Sequence, residues 1–345
     1  MKVGVIGAGT WGIALARMLT NSGHEVVVWS AIEREIDELS TARTHKNLPG
    51  MVIPEATVFT KELGDVEDAD IILMAVPSLY VRSTAARLAP FIKDGQIIVD
   101  VAKGIEKDTH FTMTEIIRDE LSRHGCADRV KLVALSGPTH AEEVALDLPT
   151  TIVSASDDEN AAKIVQDVFM NTCMRVYTHF DVLGVELCGA FKNIIALATG
   201  ISAGLGFGDN TRAALITRGI AEIKRLGLKM GCNDQTFAGL AGIGDLIVTA
   251  TSDHSRNNRC GKLIGKGYSP DDAIKEVGMV VEGINALPAA VSLAKKYGVE
   301  MPITECAYDV VFNGTEPRAA VLKLMTRDKK AESDNIVPIK QSDQA

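Results

Sequence analysis

Six residues near the N-terminus, Gly7-Ala8-Gly9-Thr10-Trp11-Gly12, constrain the fold of this chain more than any other segment. They follow the apolar run Lys2–Ile6 and open the segment Thr10–Asn21, which has the apolar spacing of a helix. Between a strand and a helix, the pattern G-x-G-x-x-G predicts a dinucleotide-binding turn. The first glycine permits the tight turn, the second admits a pyrophosphate, and the third lets the helix pack on the strand. The position of the motif disfavours the alternative, a glycine-rich turn that binds nothing.

Short apolar runs alternate with helical segments through the first half, which predicts parallel strands with helices on both faces. From Asp181 onward the apolar residues follow helical spacing with few strand signals. We therefore predict an α/β fold with a Rossmann-type doubly wound sheet over residues 1–180, an all-helical substrate domain over 181–325 and a flexible polar tail over 326–345. The predicted strands are Lys2–Ile6, Glu25–Trp29, Asp70–Val76, Gln96–Val101, Lys131–Leu135 and Thr151–Ala155.

Composition narrows the class of protein further. The net charge of −9 disfavours a partner such as nucleic acid or an anionic membrane. The longest charge-poor stretch, 193–208, contains four glycines and is too short for a membrane span. None of the six cysteines forms a CxxC pair, so we expect reduced thiols and no metal site. An apolar strand at the N-terminus leaves no room for a signal peptide, so we expect a cytoplasmic protein.

The end of the second predicted strand bears on the choice between NAD and NADP, because an acidic residue there bonds the ribose 2′-hydroxyl. This strand ends Trp29-Ser30-Ala31-Ile32, with neither a carboxylate nor an arginine at its tip. Ser30 suits either a hydroxyl or a phosphate as a hydrogen-bond partner, and Arg34 lies within reach of a 2′-phosphate. These residues favour NADP and leave NAD open.

Ligands of open α/β sheets bind outside the carboxyl ends of the strands. Three later strand ends suit such binding: Ala75-Val76-Pro77-Ser78, Val101-Ala102-Lys103-Gly104 and Leu135-Ser136-Gly137-Pro138-Thr139. Lys103 lies in Val101-Ala102-Lys103-Gly104, and its alternative role is that of a solvated loop lysine. Gly137 precedes a proline at a predicted helix start, where backbone N–H groups can bind an anion.

Lys192 is the only charged residue between Leu187 and Gly208. Burial of a lysine lowers its pKa towards values useful for proton transfer, and the alternative is a lysine that extends to the surface. Small residues leave space above it for a ligand or another backbone. Those on its helix face are Gly189, Ala196, Thr199 and Ala203.

Asp245 is likewise the only charged residue between Phe237 and Thr251. A carboxylate in such a run needs a cation or hydrogen-bond donors, and Lys192 is a candidate partner. The alternative is an aspartate that caps a helix. The donor-rich segment Ser255–Arg259 follows, and the planar fork of arginine suits a phosphate. A plain polar loop is the competing interpretation of that segment.

Eight short motifs occur in order between Gly7 and about Leu324: GAGTWG at 7–12, VAKG at 101–104, SGPTHAEE at 136–143, GAFKN at 189–193, ALITRG at 214–219, AGIGDL at 241–246, SRNNR at 255–259 and VVEG at 280–283. With these motifs the chain resembles the NAD(P)-dependent glycerol-3-phosphate dehydrogenases of the bacterial type. Similar enzymes often place a basic residue where Ala31 stands, so this departure leaves the cofactor preference open.

The resemblance implies interconversion of sn-glycerol 3-phosphate and dihydroxyacetone phosphate by hydride transfer at an interdomain cleft, supplying glycerol 3-phosphate for phospholipid synthesis. It implies Lys192 as the proton acceptor, with Lys103 and Asp245 in the same catalytic group. With the residues discussed above, the expected cofactor site comprises Gly7, Gly9, Thr10, Trp11, Gly12, Ser30, Lys103, Ala141, Arg256, Val280 and Glu282. The expected substrate site comprises Lys103, Gly137, Thr139, Lys192, Asn193, Asp245, Ser255, Arg256 and Asn257.

Two other functions compete with this interpretation. A related dehydrogenase acting on a 3-hydroxy acid or a sugar phosphate is one, although a 3-hydroxy acid enzyme has no need of the Ser255–Arg259 cluster. A non-catalytic dinucleotide sensor is the other, and it has no use for Lys192 and Asp245 in apolar runs. The apolar residues of the helical domain suffice for a homodimer interface, so we expect a homodimer.

Overall fold

The computed structural model describes residues 1–170, 172–329 and 331–332. Its N-terminal part is a single eight-stranded sheet with strand order β3-β2-β1-β4-β5-β6-β7-β8, in which every neighbouring pair is parallel except β6 with β7. The first six strands have the order of the doubly wound dinucleotide-binding fold. The strands are β1 Lys2–Ile6, β2 Glu25–Trp29, β3 Val58–Thr60, β4 Ile71–Met74, β5 Ile97–Asp100, β6 Lys131–Ser136, β7 Thr150–Ala155 and β8 Met174–His179.

Helices cover both faces of this sheet, and helices alone follow it in the part of the chain that the structure describes. Those of the N-terminal part are α1 Thr10–Asn21, α2 Glu33–Ala42, α3 Val81–Leu88, α4 Met113–Arg123, α5 Ala141–Val144 and α6 Glu159–Met170. Those of the C-terminal part are α7 Val182–Gly204, α8 Asp209–Lys229, α9 Asp234–Phe237, α10 Asp245–Thr251, α11 Arg256–Gly265, α12 Pro270–Val277, α13 Glu282–Tyr297, α14 Pro302–Phe312 and α15 Pro317–Met325.

The predicted fold class is confirmed, and the sequence missed two strands. β3 has only three residues, too few for a period-2 pattern to emerge. β8 mixes exposed and buried positions at the outer edge of the sheet, where it pairs with β7. The last described helix ends at Met325, and most of the predicted tail at 326–345 lies outside the described residues.

The helix α7 runs through the centre of the helical part. Among the described residues it is the one helix that is long and apolar enough, by length and composition, to cross a membrane. Most of it is buried inside the protein, where it packs against α8, α10, α11 and α13. Burial on all sides therefore accounts for its apolar composition.

Glycines allow α7 and α11 to pack with their backbones almost in contact. A Cβ atom added at Gly200 would lie 2.2 Å from the carbonyl oxygen of Asn258. At Gly204, Gly261 and Gly265 it would likewise lie within 2.3 Å of a carbonyl oxygen of the facing helix. This contact orients α11, whose first turn carries the predicted phosphate-binding residues.

We expect Gly200→Ala to destabilise the fold by about 1–3 kcal/mol or more, because the overlap is with backbone, which no side-chain rotation relieves. Gly208→Ala is the matched control, since a Cβ at that position meets no atom within 4 Å. Urea denaturation of both variants measures the difference. Equal stabilities of the two variants would contradict the packing argument.

Candidate active site

The glycine-rich turn forms a cradle at the carboxyl end of β1. Gly7 has φ of +118°, and a Cβ there would lie 2.7 Å from the carbonyl oxygen of Ala75. A Cβ at Gly12 would lie 2.1 Å from the carbonyl oxygen of Gly7, whereas one at Gly9 would meet open space. Gly9 is the N-cap of α1 and provides no capping side chain, so N–H groups of the first turn remain available to a phosphate. The turn therefore fits the pyrophosphate of a dinucleotide.

At the end of β2, Ser30 and Arg34 are engaged with glutamates, whereas the sequence suggested both as partners of the cofactor. The hydroxyl of Ser30 donates to Oε2 of Glu35 at 2.9 Å and accepts from the N–H of Ile32 at 3.1 Å. Arg34 is 83% exposed and pairs with Glu38 along the helix. A carboxylate therefore does lie at this strand end, supplied by Glu35 from α2.

Three charged side chains from two parts of the chain meet at the carboxyl end of the sheet. Asp245, which is fully buried, accepts hydrogen bonds from both Lys192 and Lys103, the latter at 2.8 Å. Lys192 also donates to the hydroxyl of Thr249 at 2.7 Å. One carboxylate thus bridges two ammonium groups. Because Asp245 bonds these side chains and not the backbone of its own helix, it does not act as the helix cap that the sequence left open.

Burial is the main influence on the acidity of Lys192. It lowers the pKa of this ammonium to about 7, and the positive charge of Lys103 acts in the same direction. The carboxylate of Asp245 opposes both effects by stabilising the charged form. Near neutral pH, Lys192 therefore has both protonation states available for proton transfer.

Lys103 reaches Asp245 by crossing α7 at a glycine. A Cβ at Gly189 would lie 3.3 Å from the hydroxyl of Ser136 and 3.5 Å from Cγ of Lys103, so the lysine stem passes close to the helix at this glycine. The ammonium group also donates to the carbonyl oxygen of Gly137 at 3.0 Å and to the hydroxyl of Thr139 at 3.3 Å. Gly137 thus uses its carbonyl oxygen to position a lysine, a role that the sequence did not predict.

Asn193 and Asn257 connect the two parts of the chain. The side chain of Asn193 donates to the carbonyl oxygen of Lys103 at 3.4 Å and accepts from the side chain of Asn257 at 2.9 Å. Asn257 in turn accepts from the N–H of Gly283 at 2.8 Å. Both asparagines are buried and engaged in hydrogen bonds with protein groups, so in this arrangement they position the site.

The first turn of α11 has the features of a phosphate site. The hydroxyl of Ser255 caps the helix by accepting from the N–H of Asn258 at 3.2 Å. Arg256 follows at the first helical position and is exposed, and its guanidinium has no hydrogen-bond or ion-pair partner among the described residues. A free guanidinium beside a helix N-terminus is suited to a phosphate dianion.

The remaining predicted cofactor residues lie where the two parts of the chain meet. Ala141 begins α5, and Val280 lies in the turn before α13. Glu282 begins α13 and accepts from the N–H of Ser78 at 3.1 Å and from its hydroxyl at 2.5 Å. The start of α13 is thereby joined to the carboxyl end of β4. Thr10 accepts a hydrogen bond from the side chain of Asn47 at 3.1 Å. Trp11 is partly buried and packs against the hydrophobic core of the N-terminal part.

The sequence does not single out two residues near this site, Thr249 and His140, and it marks Ser78 only as part of a strand end. Thr249 lies four residues after Asp245 on one helix face, a spacing that was readable in advance. Ser78 lies in a strand-end segment, but its partner Glu282 is 204 residues away. His140 contacts the carbonyl oxygen of Val248 at 3.4 Å, and burial lowers its pKa.

A dinucleotide cradle beside a buried lysine–aspartate–lysine cluster defines a nicotinamide-dependent dehydrogenase. The family model for the N-terminus of NAD-dependent glycerol-3-phosphate dehydrogenase matches residues 2–162 of this chain, and the model for its C-terminus matches residues 181–322. The chain belongs to this family, as its sequence motifs implied, and is an NAD(P)-dependent oxidoreductase.

Relatives and solved structures agree with this assignment over nearly the whole chain. The chain is 67% identical to glycerol-3-phosphate dehydrogenase [NAD(P)+] 2 of Lactobacillus delbrueckii subsp. bulgaricus, over 96% of this chain and 98% of the relative. It is 49% identical to the Bacillus subtilis glycerol-3-phosphate dehydrogenase [NAD(P)+], over 97% of each chain. The crystal structure of the Coxiella burnetii enzyme is similar with a TM-score of 0.88 and 36% identity, over 94% of this chain and 99% of that one.

Proposed function

We propose that this chain interconverts sn-glycerol 3-phosphate and dihydroxyacetone phosphate, with Lys192 as the group that exchanges the hydroxyl proton. The observation that carries the proposal is the bridging of Lys192 and Lys103 by the buried carboxylate of Asp245 at the carboxyl end of the sheet. A nicotinamide bound there supplies hydride transfer at the secondary carbon of the substrate. Every other part of the chemistry falls to side chains of this chain.

Proton transfer follows from the surroundings of Lys192. In the oxidative direction its neutral amine removes the proton of the substrate hydroxyl, and in the reductive direction its ammonium group protonates the forming alkoxide. Asp245 stabilises the charged form, while burial and Lys103 favour the neutral form. Lys103 places a second ammonium group against the same carboxylate, beside the reacting end of the substrate.

Recognition of the substrate phosphate is assigned to the start of α11. Arg256 contributes a guanidinium without a protein partner among the described residues, and the helix N-terminus contributes backbone N–H groups. Asn193 and Asn257 support this placement by joining α11 to the loop that carries Lys103. The phosphate of a three-carbon substrate is thus held by the start of α11, while the other end of the substrate reacts beside Lys192.

The two directions of the reaction are expected to have opposite pH dependence. Because Lys192 has a pKa of about 7, kcat/KM for dihydroxyacetone phosphate reduction falls as the pH rises through that value, and kcat/KM for glycerol 3-phosphate oxidation rises. Initial rates between about pH 6 and about pH 9 measure both profiles. Parallel profiles in the two directions would argue against Lys192 as the titrating group.

The decisive experiment is the reduction of dihydroxyacetone phosphate by purified protein with NADH and with NADPH, with dihydroxyacetone as the control that lacks the phosphate. We expect cofactor oxidation that depends on the phosphorylated ketone and that is weak with dihydroxyacetone. Folded protein that binds cofactor but oxidises it with neither compound would refute the substrate assignment. A panel of 3-hydroxy acids and sugar phosphates then tests the competing dehydrogenase.

A homodimer in the cytoplasm, supplying glycerol 3-phosphate for phospholipid synthesis, completes the proposal. The apolar residues of the helical domain support the homodimer. Sedimentation equilibrium at several protein concentrations tests the oligomeric state directly.

A further inference from the structure

Glu35 is hydrogen-bonded to the end of β2, the region in which a Rossmann-type domain distinguishes NAD from NADP. β2 ends beside the glycine-rich turn, since the N–H of Gly7 donates to the carbonyl oxygen of Trp29 at 2.8 Å. Ser30 follows that strand directly, is 5% exposed and donates its hydroxyl to the carboxylate of Glu35 at 2.9 Å. In this fold the adenosine ribose lies against the end of the second strand.

The residues around Glu35 provide little positive charge for a 2′-phosphate. Ala31 and Ile32, which follow Ser30, carry no charge, and Ile32 is 54% exposed. Glu33 adds a second carboxylate to the first turn of α2. A phosphate dianion at this strand end would be repelled by the carboxylate of Glu35, which disfavours a 2′-phosphorylated cofactor, whereas Glu33 lies 3.8 Å from the ammonium group of Lys61.

The nearby cations do not offset the charge of Glu35, because Lys61 is already paired with Asp37 and Glu33. Arg34 is 83% exposed and pairs with Glu38 on the solvent side of α2. Lys46 is exposed in the loop that follows α2. The neighbouring His45 has its pKa lowered, chiefly by burial, so it is neutral at physiological pH. The same loop is joined to the glycine-rich turn through Asn47, whose side chain donates to Thr10 at 3.1 Å.

We propose that Glu35, oriented by Ser30, accepts a hydrogen bond from the 2′-hydroxyl of the adenosine ribose and makes this chain prefer NADH over NADPH. The proposal rests on the function proposed above only in requiring that the cradle binds a nicotinamide dinucleotide. It reverses the preference that Ser30 and Arg34 suggested in the sequence, because the structure shows both side chains engaged with glutamates.

Binding measurements test the proposal without turnover. Titrations followed by nicotinamide fluorescence give Kd for NADH and NADPH, and calorimetry with ADP and with adenosine 2′,5′-bisphosphate isolates the contribution of the adenosine end. We expect the wild-type protein to bind NADH at least about tenfold more tightly than NADPH, equivalent to about 1.4 kcal/mol. ADP is expected to bind more tightly than the 2′-phosphorylated fragment.

The variant Glu35→Gln is expected to weaken NADH binding and to strengthen NADPH binding, so that the ratio of the two Kd values shifts by about tenfold. Glu25→Gln is the matched control, since it makes the same change at the exposed, opposite end of β2. Equal or tighter binding of NADPH by wild-type protein would overturn the proposal, as would equal effects of the two substitutions. Tight NADH binding without dihydroxyacetone phosphate turnover would instead refute the substrate assignment and leave this inference intact.

Discussion

Replacing Lys192 with alanine is expected to reduce turnover by about 10²–10⁴-fold while leaving the affinity for NADH nearly unchanged. The ammonium group of Lys192 is bonded to Asp245 and Thr249 and not to the glycine-rich turn. After its removal Asp245 keeps the ammonium of Lys103 as a partner, so the buried carboxylate remains paired and the fold is expected to survive.

Single-turnover kinetics and fluorescence titration of Lys192→Ala separate the chemical step from cofactor binding. Lys275→Ala is the matched control, because the Lys275 side chain is 77% exposed on α12. The control is expected to retain wild-type rates. Near-normal turnover of Lys192→Ala would remove the lysine from the mechanism.

Asp245→Asn is expected to affect both stability and chemistry. The wild-type carboxylate is fully buried between two ammonium groups, and neutralising one partner of a buried ion pair costs about 3–5 kcal/mol. The charge of Asp245 also raises the pKa of Lys192, so its loss lowers that pKa further. We therefore expect lower stability to urea and a shift of the kinetic pH profiles to lower pH.

Asp253→Asn provides the comparison for this variant. Asp253 pairs with Lys262 but is 90% exposed, so its replacement is expected to change stability by less than about 0.5 kcal/mol. A stability of Asp245→Asn equal to that of Asp253→Asn, together with unchanged pH profiles, would contradict the bridging role that the structure indicates.

Charged residues in apolar segments could be recognised from the sequence as unusual. Lys192 and Asp245 were selected because each is the only charge in its segment, and the structure places the two in direct contact. Their shared partner Thr249 was missed, although its spacing of four residues from Asp245 places both on one helix face. The position of Lys103 was predicted from the strand end, but its route past Gly189 was not.

The cofactor end of the site shows where interpretation of the sequence was incomplete. The sequence does not state which side chains are already engaged. The structure shows Ser30 bonded to Glu35 and Arg34 paired with Glu38. The hydroxyl of Ser30 therefore orients a carboxylate and is not free for a phosphate.

Local patterns were enough to determine the class of fold and the place of the cradle. Alternating strands and helices, the three glycines after β1 and the change to helical spacing near Asp181 all depend on neighbours within a few residues, where backbone geometry limits the outcomes. Relations between distant segments were decided only by the tertiary structure. Ser78 meets Glu282 across 204 residues, and Lys103 meets Asp245 across 142. Such pairs form because packing of the helical domain against the carboxyl end of the sheet brings them together, and no local propensity encodes that approach.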